Sequence, residues 1–206
     1  MTLNQILLDA SAVLDLSSSL PSGDELTLRR NYANQAVEDA AATGQLPEFK
    51  VEYNLYTTGS QQVPLAGFRE FMRDPQALVD GAWLTFPEIE LEDKYAAIGN
   101  YCYLTGNPQS GYVLNFNGLD AGMTLSVIYQ RYPSGMPSLT SICELSDPTY
   151  VTRKIESYVL YSRGDDRFQT AEARANNVLL NMTGRKMKGP GGQYKSTRMG
   201  FTNPLG

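Results

Sequence analysis

Apolar side chains recur every three or four positions at the start of the chain. Leu3, Ile6, Leu7, Ala10, Val13 and Leu14 form one stripe, which predicts an amphipathic helix. The stretch SSSLPSGDE interrupts it and offers Ser22 or Asp24 as the N-cap of a second helix. Leu26, Ala33, Val37 and Ala40 face inward on that helix, Gly44 caps it and Pro47 stops it.

At Pro47 the period drops to two. Phe49, Val51, Tyr53 and Leu55 alternate with Lys50, Glu52 and Asn54, the pattern of a half-buried strand. YCYL, YVLNFN and MTLSVIYQRY repeat it, separated by the turn clusters TGNPQSG and NGLDAG. A short helix is expected near GFREFMRD. After PSGMPSL the helical period returns. Val151, Ile155, Tyr158 and Val159 share a face, with Asp147 as cap and Pro148 in the first turn. Gly164 ends this helix, and Asp165 or Asp166 starts another, with Phe168, Ala171, Ala175, Val178, Leu179 and Met182 as its stripe.

Each helical stripe is too narrow to stand alone, so the helices must bury one another. The predicted class is α+β, a helical bundle from the N- and C-terminal helices with an inserted antiparallel β-sandwich or barrel. Residues 1–46 and 139–183 supply the bundle, 47–138 the β domain, and 184–206 an extended basic C-terminal arm.

Composition narrows the chemistry. Histidine is absent, which removes Ser-His-Asp and Cys-His nucleophilic systems and histidine-ligated metals. The expectation is a protein that is not an enzyme and holds no cofactor and no metal. Cys102 and Cys143 stand far apart in no metal-type spacing, and read as buried thiols of a reducing compartment. No run of apolar residues is long enough for a transmembrane helix, and the N-terminal stretch carries Asp9 and Asp15 where a secretory signal would be apolar. Charge is segregated: 11 basic residues face 22 acidic ones in the first 172 positions, a net −11, whereas the last 34 carry +6. An acidic body argues against general nucleic-acid binding, and a basic end suggests an interaction arm.

Three clusters invite a chemical reading. Glu88, Glu90 and Glu92 alternate in EIELED and would share a strand face, where they could hold a hard cation or simply protect a sheet edge. Arg163, Gly164, Asp165, Asp166 and Arg167 form a helix–helix turn. Its carboxylates could divide acid and base roles in a hydrolase, or cap the next helix and pair with the arginines. Tyrosines and Trp83 crowd the β region and could stack on sugars, although alternate positions of a strand are core. The glycines of KGPGGQYK lack the spacing of a phosphate loop.

The arm has little to bury on its own. Composition of this kind gives disorder unless another surface supplies the order. Arg185, Lys186, Lys188, Lys195 and Arg198 favour an acidic receiving surface, with Met187, Tyr194, Met199, Phe201 and Leu205 as apolar anchors. Fully extended, the arm spans about 75–80 Å at roughly 3.3–3.6 Å per residue.

The closing pair YVTRKIESYVLYSRGDDRFQTAEARANNVLLNM and the strands YAAIGNYCYLTGNPQSGYVLNFN, between helical ends, resemble the portal adaptor (head-to-tail connector, or neck) proteins of tailed bacteriophages. The resemblance is a pattern over residues 1–182. It implies a virion structural protein, made in the host cytoplasm and placed at the neck as an oligomeric, dodecameric ring. Its partners would be the portal protein, further copies of itself, and a tail, nozzle or next neck protein. Genomic DNA would pass through the channel without sequence-specific binding, and no membrane is involved. In such proteins the C-terminal arm reaches onto the portal, which would make Arg185, Lys186, Lys188, Tyr194, Lys195, Arg198, Met199, Phe201 and Leu205 portal-binding residues. A larger β insertion than in the minimal helical members is the departure here. The alternative is a carbohydrate- or cell-surface-binding structural protein that uses the aromatic β domain.

Overall fold

The computed structural model describes residues 1–57 and 62–184. Among them are four α-helices: α1 (Leu3–Leu14), α2 (Gly23–Ala42), α3 (Thr149–Ser162) and α4 (Phe168–Gly184). Between α2 and α3 run eight strands: β1 (Lys50–Tyr56), β2 (Gln62–Leu65), β3 (Phe68–Phe71), β4 (Gln76–Val79), β5 (Ala82–Thr85), β6 (Tyr101–Asn107), β7 (Gly111–Asn117) and β8 (Thr124–Arg131). The protein is α+β with antiparallel sheets.

Helix α3 packs against α1, α2 and α4. It buries Tyr150, Val151, Ile155 and Val159, and also Lys154 and Glu156. Alanines 33, 36, 40 and 41 line the inner face of α2, and small side chains there let helices approach closely. Leu3, Ile6, Leu7 and Ala10 of α1 and Ala175 and Met182 of α4 complete this core. Val13 departs from its expected place, being 43% exposed at the rim of a depression that it shares with Leu160 and Ala171, whereas its neighbour Leu14 packs against the core.

Strand β8 organises the larger sheet. It pairs with β1 along one edge (Lys50↔Gln130 to Tyr56↔Thr124) and with β3 and then β4 along the other. Since β3 meets residues 129–131 and β4 meets 124–126, they behave as one strand, interrupted where Pro75 cannot donate to the ladder. The segment GFREFMRD is therefore strand, not helix. Its Phe68 and Phe71 spacing imitates a helical period, but pairing with β8 and burial of Phe68 decide its form. The second sheet has the order β2-β7-β6. Both sheets bury their inner faces in one core containing Leu65, Phe68, Phe86, Phe116, Leu125 and Val127.

A neck joins the two cores. Gln130 donates its side-chain amide to the Ala41 carbonyl, and Arg131 donates to Glu48 O at 3.1 Å while lying over the Phe49 ring. Phe49 accordingly belongs to the helical core, although the alternating pattern assigns it to the strand. The return segment is strapped to α1 by Leu3 N donating to Ser141 O and Asn4 N donating to Leu139 O, both at 2.9 Å.

Candidate functional site

The helix–helix turn is built from its backbone outward. Gly164, at φ +68°, lets its N–H reach Tyr161 O and the Asp165 N–H reach Leu160 O, both at 3.0 Å. These are the paired hydrogen bonds of a left-handed helix end. Asp165 then accepts from the backbone N–H of Arg167 at 3.0 Å and from its guanidinium at 2.6 Å. The Arg167 side-chain hydrogen bond brings the Asp165 carboxyl down to about 2. A carboxylate held that low carries no proton to donate near neutral pH. Asp166 starts the turn into α4 through its carbonyl, which accepts from Gln169 N at 3.3 Å. Arg163 turns the other way and approaches Asp15 Oδ1 at 3.3 Å and Glu25 Oε1 at 3.6 Å.

Those two acids also hold Arg29. Its guanidinium is 1% exposed and donates to Asp15 at 2.6 Å, Glu25 at 2.7 Å and Ser11 Oγ at 3.0 Å. Burial works to raise the Asp15 pKa, but the bonds and charges of Arg29 and Arg163 outweigh it and leave the carboxyl below its ordinary range. Pattern reading passed over Arg29. The signal was present, since it stands three positions after Leu26 and four before Ala33, inside the apolar stripe and four after Glu25.

A second ionic cluster lies between α2, α3 and α4. Lys154 Nζ is 2.8 Å from Glu172 and 3.8 Å from Asp39, and sits over the Tyr158 ring. The Tyr158 hydroxyl donates to Asp39 and Ser157 Oγ donates to Glu172 at 2.9 Å. Burial first, and then the Asp39 bond, push the Tyr158 phenol well above its usual range. Both clusters are closed by their own counter-charges, which suits holding helices in register rather than turning over a substrate.

The glutamates of EIELED do not share a strand face. Only Glu88 touches a sheet, in a single parallel bridge to Cys102, and Leu91–Tyr95 is a turn of 3-10 helix. The bridge consists of the Cys102 N–H on Pro87 O and the Ile89 N–H on Cys102 O; Pro87 has no N–H to extend it backward, and forward the chain turns into the 3-10 helix at Leu91. Among the described residues no group of three His, Cys, Asp or Glu side chains is placed to hold a metal ion. Cys102 donates to Phe86 O, and burial raises its thiol to about 12, too high for a reactive thiolate. A groove of about 520 Å³ runs along β3, lined by Arg69, Glu70, Arg73, Asp74 and Glu88, and Glu88 forms no ion pair with either arginine.

Residues 88–98 instead form an outward tip. Leu91, Tyr95 and Ile98 are 43%, 89% and 99% exposed, beside Glu88, Glu90, Glu92 and Asp93. Of the aromatic side chains expected to form a platform, Trp83, Tyr56 and Tyr132 are also exposed, whereas Tyr101 and Tyr129 are buried. The arm residues Arg185, Lys186, Lys188, Tyr194, Lys195, Arg198, Met199, Phe201 and Leu205 lie outside the described residues.

No protein-family model matches the chain, and no curated protein matches it.

Proposed function

We propose that this chain is a virion structural protein, a portal adaptor whose ring joins the portal to the tail of a bacteriophage and continues the DNA channel. The observation that carries this reading is a bundle made from both ends of the chain, with a β insertion and a strongly basic segment following α4. In that arrangement the bundle supplies the ring wall and the segment from Arg185 engages the portal. The net −11 of the first 172 residues repels the phosphate backbone, so that DNA slides through without adhering. Portal, neighbouring copies and a tail-side protein are the partners this reading requires. The test is deletion of 185–206. Portal docking should be abolished while helical circular dichroism is unchanged, and portal binding of normal strength by the shortened chain overturns the reading.

Exposure of Trp83, Tyr56 and Tyr95 favours a second reading, a carbohydrate- or cell-surface-binding structural protein. It predicts sugar binding by a monomer, lost in Trp83→Ala.

A further inference from the structure

We propose that the acidic, apolar tip formed by residues 88–98 is a docking surface for the basic segment 185–205 of the same chain, occupied whenever no other molecule holds that segment.

The tip lies at the end of the β layer remote from the bundle. Arg131 at the end of β8 contacts Glu48 beside the bundle, so Thr124 at its start is far from it. In the second sheet Leu65 pairs with Tyr112, and the neighbouring Ala66 carbonyl accepts from Tyr129, which puts the start of β7 on the bundle side. Asn117 and its partner Tyr101 are then on the remote side. Both tie down the tip: Tyr101 donates to Lys94 O and Asn117 donates to Gly99 O, each at 2.7 Å. The tip is a held structure presenting its apolar side chains to water, not a loose loop.

Its charges are uncompensated. Glu88, Glu90, Glu92 and Asp93 form no ion pair among the described residues. The one cation of the stretch, Lys94, lies over the rings of Tyr95 and Tyr103. Burial, then the like charges of Glu90 and Asp74, push the Glu88 carboxyl up, as an unneutralised cluster should. Contrast the exposed Leu16 and Leu28 at the other end of the molecule. Of the acids beside them, Asp15 and Glu25 are already held by Arg29 and Arg163, which leaves Asp24 as the one without an ion pair among the described residues, against four at the tip.

The segment is the complement in both respects. Residues 185–205 contain five basic and no acidic side chains, and carry Met187, Tyr194, Met199, Phe201 and Leu205. It also starts in the right place. Antiparallel pairing of α3 and α4, seen in Lys154 with Glu172 and Tyr161 with Phe168, returns Gly184 to the start of α3. There Ser146 N donates to Glu48 beside β1. From that neck the length of β8 is about 25 Å at roughly 3.3 Å per residue. The segment covers about 70 Å when extended at roughly 3.3 Å per residue. A tether that exceeds its span by this margin gives an effective concentration in the millimolar range, which favours the same chain over a second copy.

The test uses the full-length chain without any other protein, as a mixture of ordinary and nitrogen-15-labelled copies, coupled by a zero-length carbodiimide and read by mass spectrometry. Lys186, Lys188 and Lys195 should join to Glu88, Glu90, Glu92 or Asp93 within single-isotope pairs. The yield should fall severalfold when salt rises from about 0.05 to about 0.5 M. The variant Tyr95→Ser/Ile98→Ser should lose these links at least tenfold with unchanged circular dichroism, because both side chains are almost fully exposed. Coupling spread over other carboxylates, links indifferent to that variant, or mixed-isotope pairs at about half of the links in an equal mixture, the share expected for coupling between copies, would overturn the proposal. No portal enters this experiment, so its failure leaves the adaptor reading standing. Equally, portal binding by a chain lacking 185–206 would end that reading without touching this one.

Discussion

In the helical core, Arg29, Lys154 and Glu156 are buried among leucines and alanines, each answered by counter-charges at its edge. In the β core, Phe86, Phe116, Leu125 and Val127 pack with no charged residue buried as a whole among the described residues, although Nη1 of the half-buried Arg69 on β3 is out of water, and its interior polar residues, such as Asn115 and Ser126, are neutral. The difference follows from what each element lacks. A sheet binds its strands through the backbone ladder, and paired rows of side chains set the register. A helix satisfies its backbone internally, so nothing but side chains tells α2 and α4 where to sit on α3. Ion pairs there act as register marks, a role for which buried charge is best attested.

The sharpest test removes those marks. Asp15→Ala/Glu25→Ala leaves a buried guanidinium with Ser11 as its remaining buried partner, and should cost about 3–5 kcal/mol in urea unfolding. Adding Arg29→Leu should recover most of that loss, and no recovery would mean that packing, not charge, dominates the site. In the β core, Phe116→Ala should cost about 3–5 kcal/mol as a cavity, with no dependence on salt. Next comes Gly106→Ala. At φ +101° an added Cβ would meet Gly111 O at 2.1 Å, so closure of the β6–β7 hairpin should weaken. A loss of about 1–3 kcal/mol is expected, and equal stability by thermal melting would refute the close approach.

Leu16→Gly works in the opposite direction. Leu16 holds φ +52° just beyond α1 with its side chain 93% exposed. Glycine should raise stability by about 1 kcal/mol, since little packing is lost and left-handed strain is relieved. The smallest effect is acid sensitivity, because the Asp15 side chain is partly solvated. Its carboxyl lies below 3.8 when folded, so its contribution is present above that value and fades as pH falls through the folded pKa. Helical signal should therefore fail before the fluorescence of Trp83, the chain's one tryptophan, on β5. Coincident transitions would show that the two cores do not differ in this way.

Periodicity carried the elements whose burial is one-sided. Leu3, Ile6, Leu7 and Ala10, or Ala171, Ala175 and Met182, can be read from spacing because one face meets the core. The same logic failed at GFREFMRD and EIELED. Strands of four residues are too short to display a period, and a bridge of one pair leaves no pattern. In the turn 163–167, glycine and aspartate chemistry was legible locally. That Arg163 leaves Asp165 to Arg167 and crosses to Asp15 was not, because the partners are 148 positions apart.

The amino-acid order alone determined the α+β class, the helix ends and the separation of an acidic body from a basic end, since these depend on neighbours within a few positions or on simple counts. Tertiary structure decided which charges are already satisfied. It closed Asp15, Glu25, Asp39 and Glu172 on buried or bridging cations and left the acids of the tip open beside Tyr95 and Ile98. The reason is range. Covalent spacing orders side chains over one or two turns, whereas the partner of a charge is chosen by packing between segments that no local rule brings together.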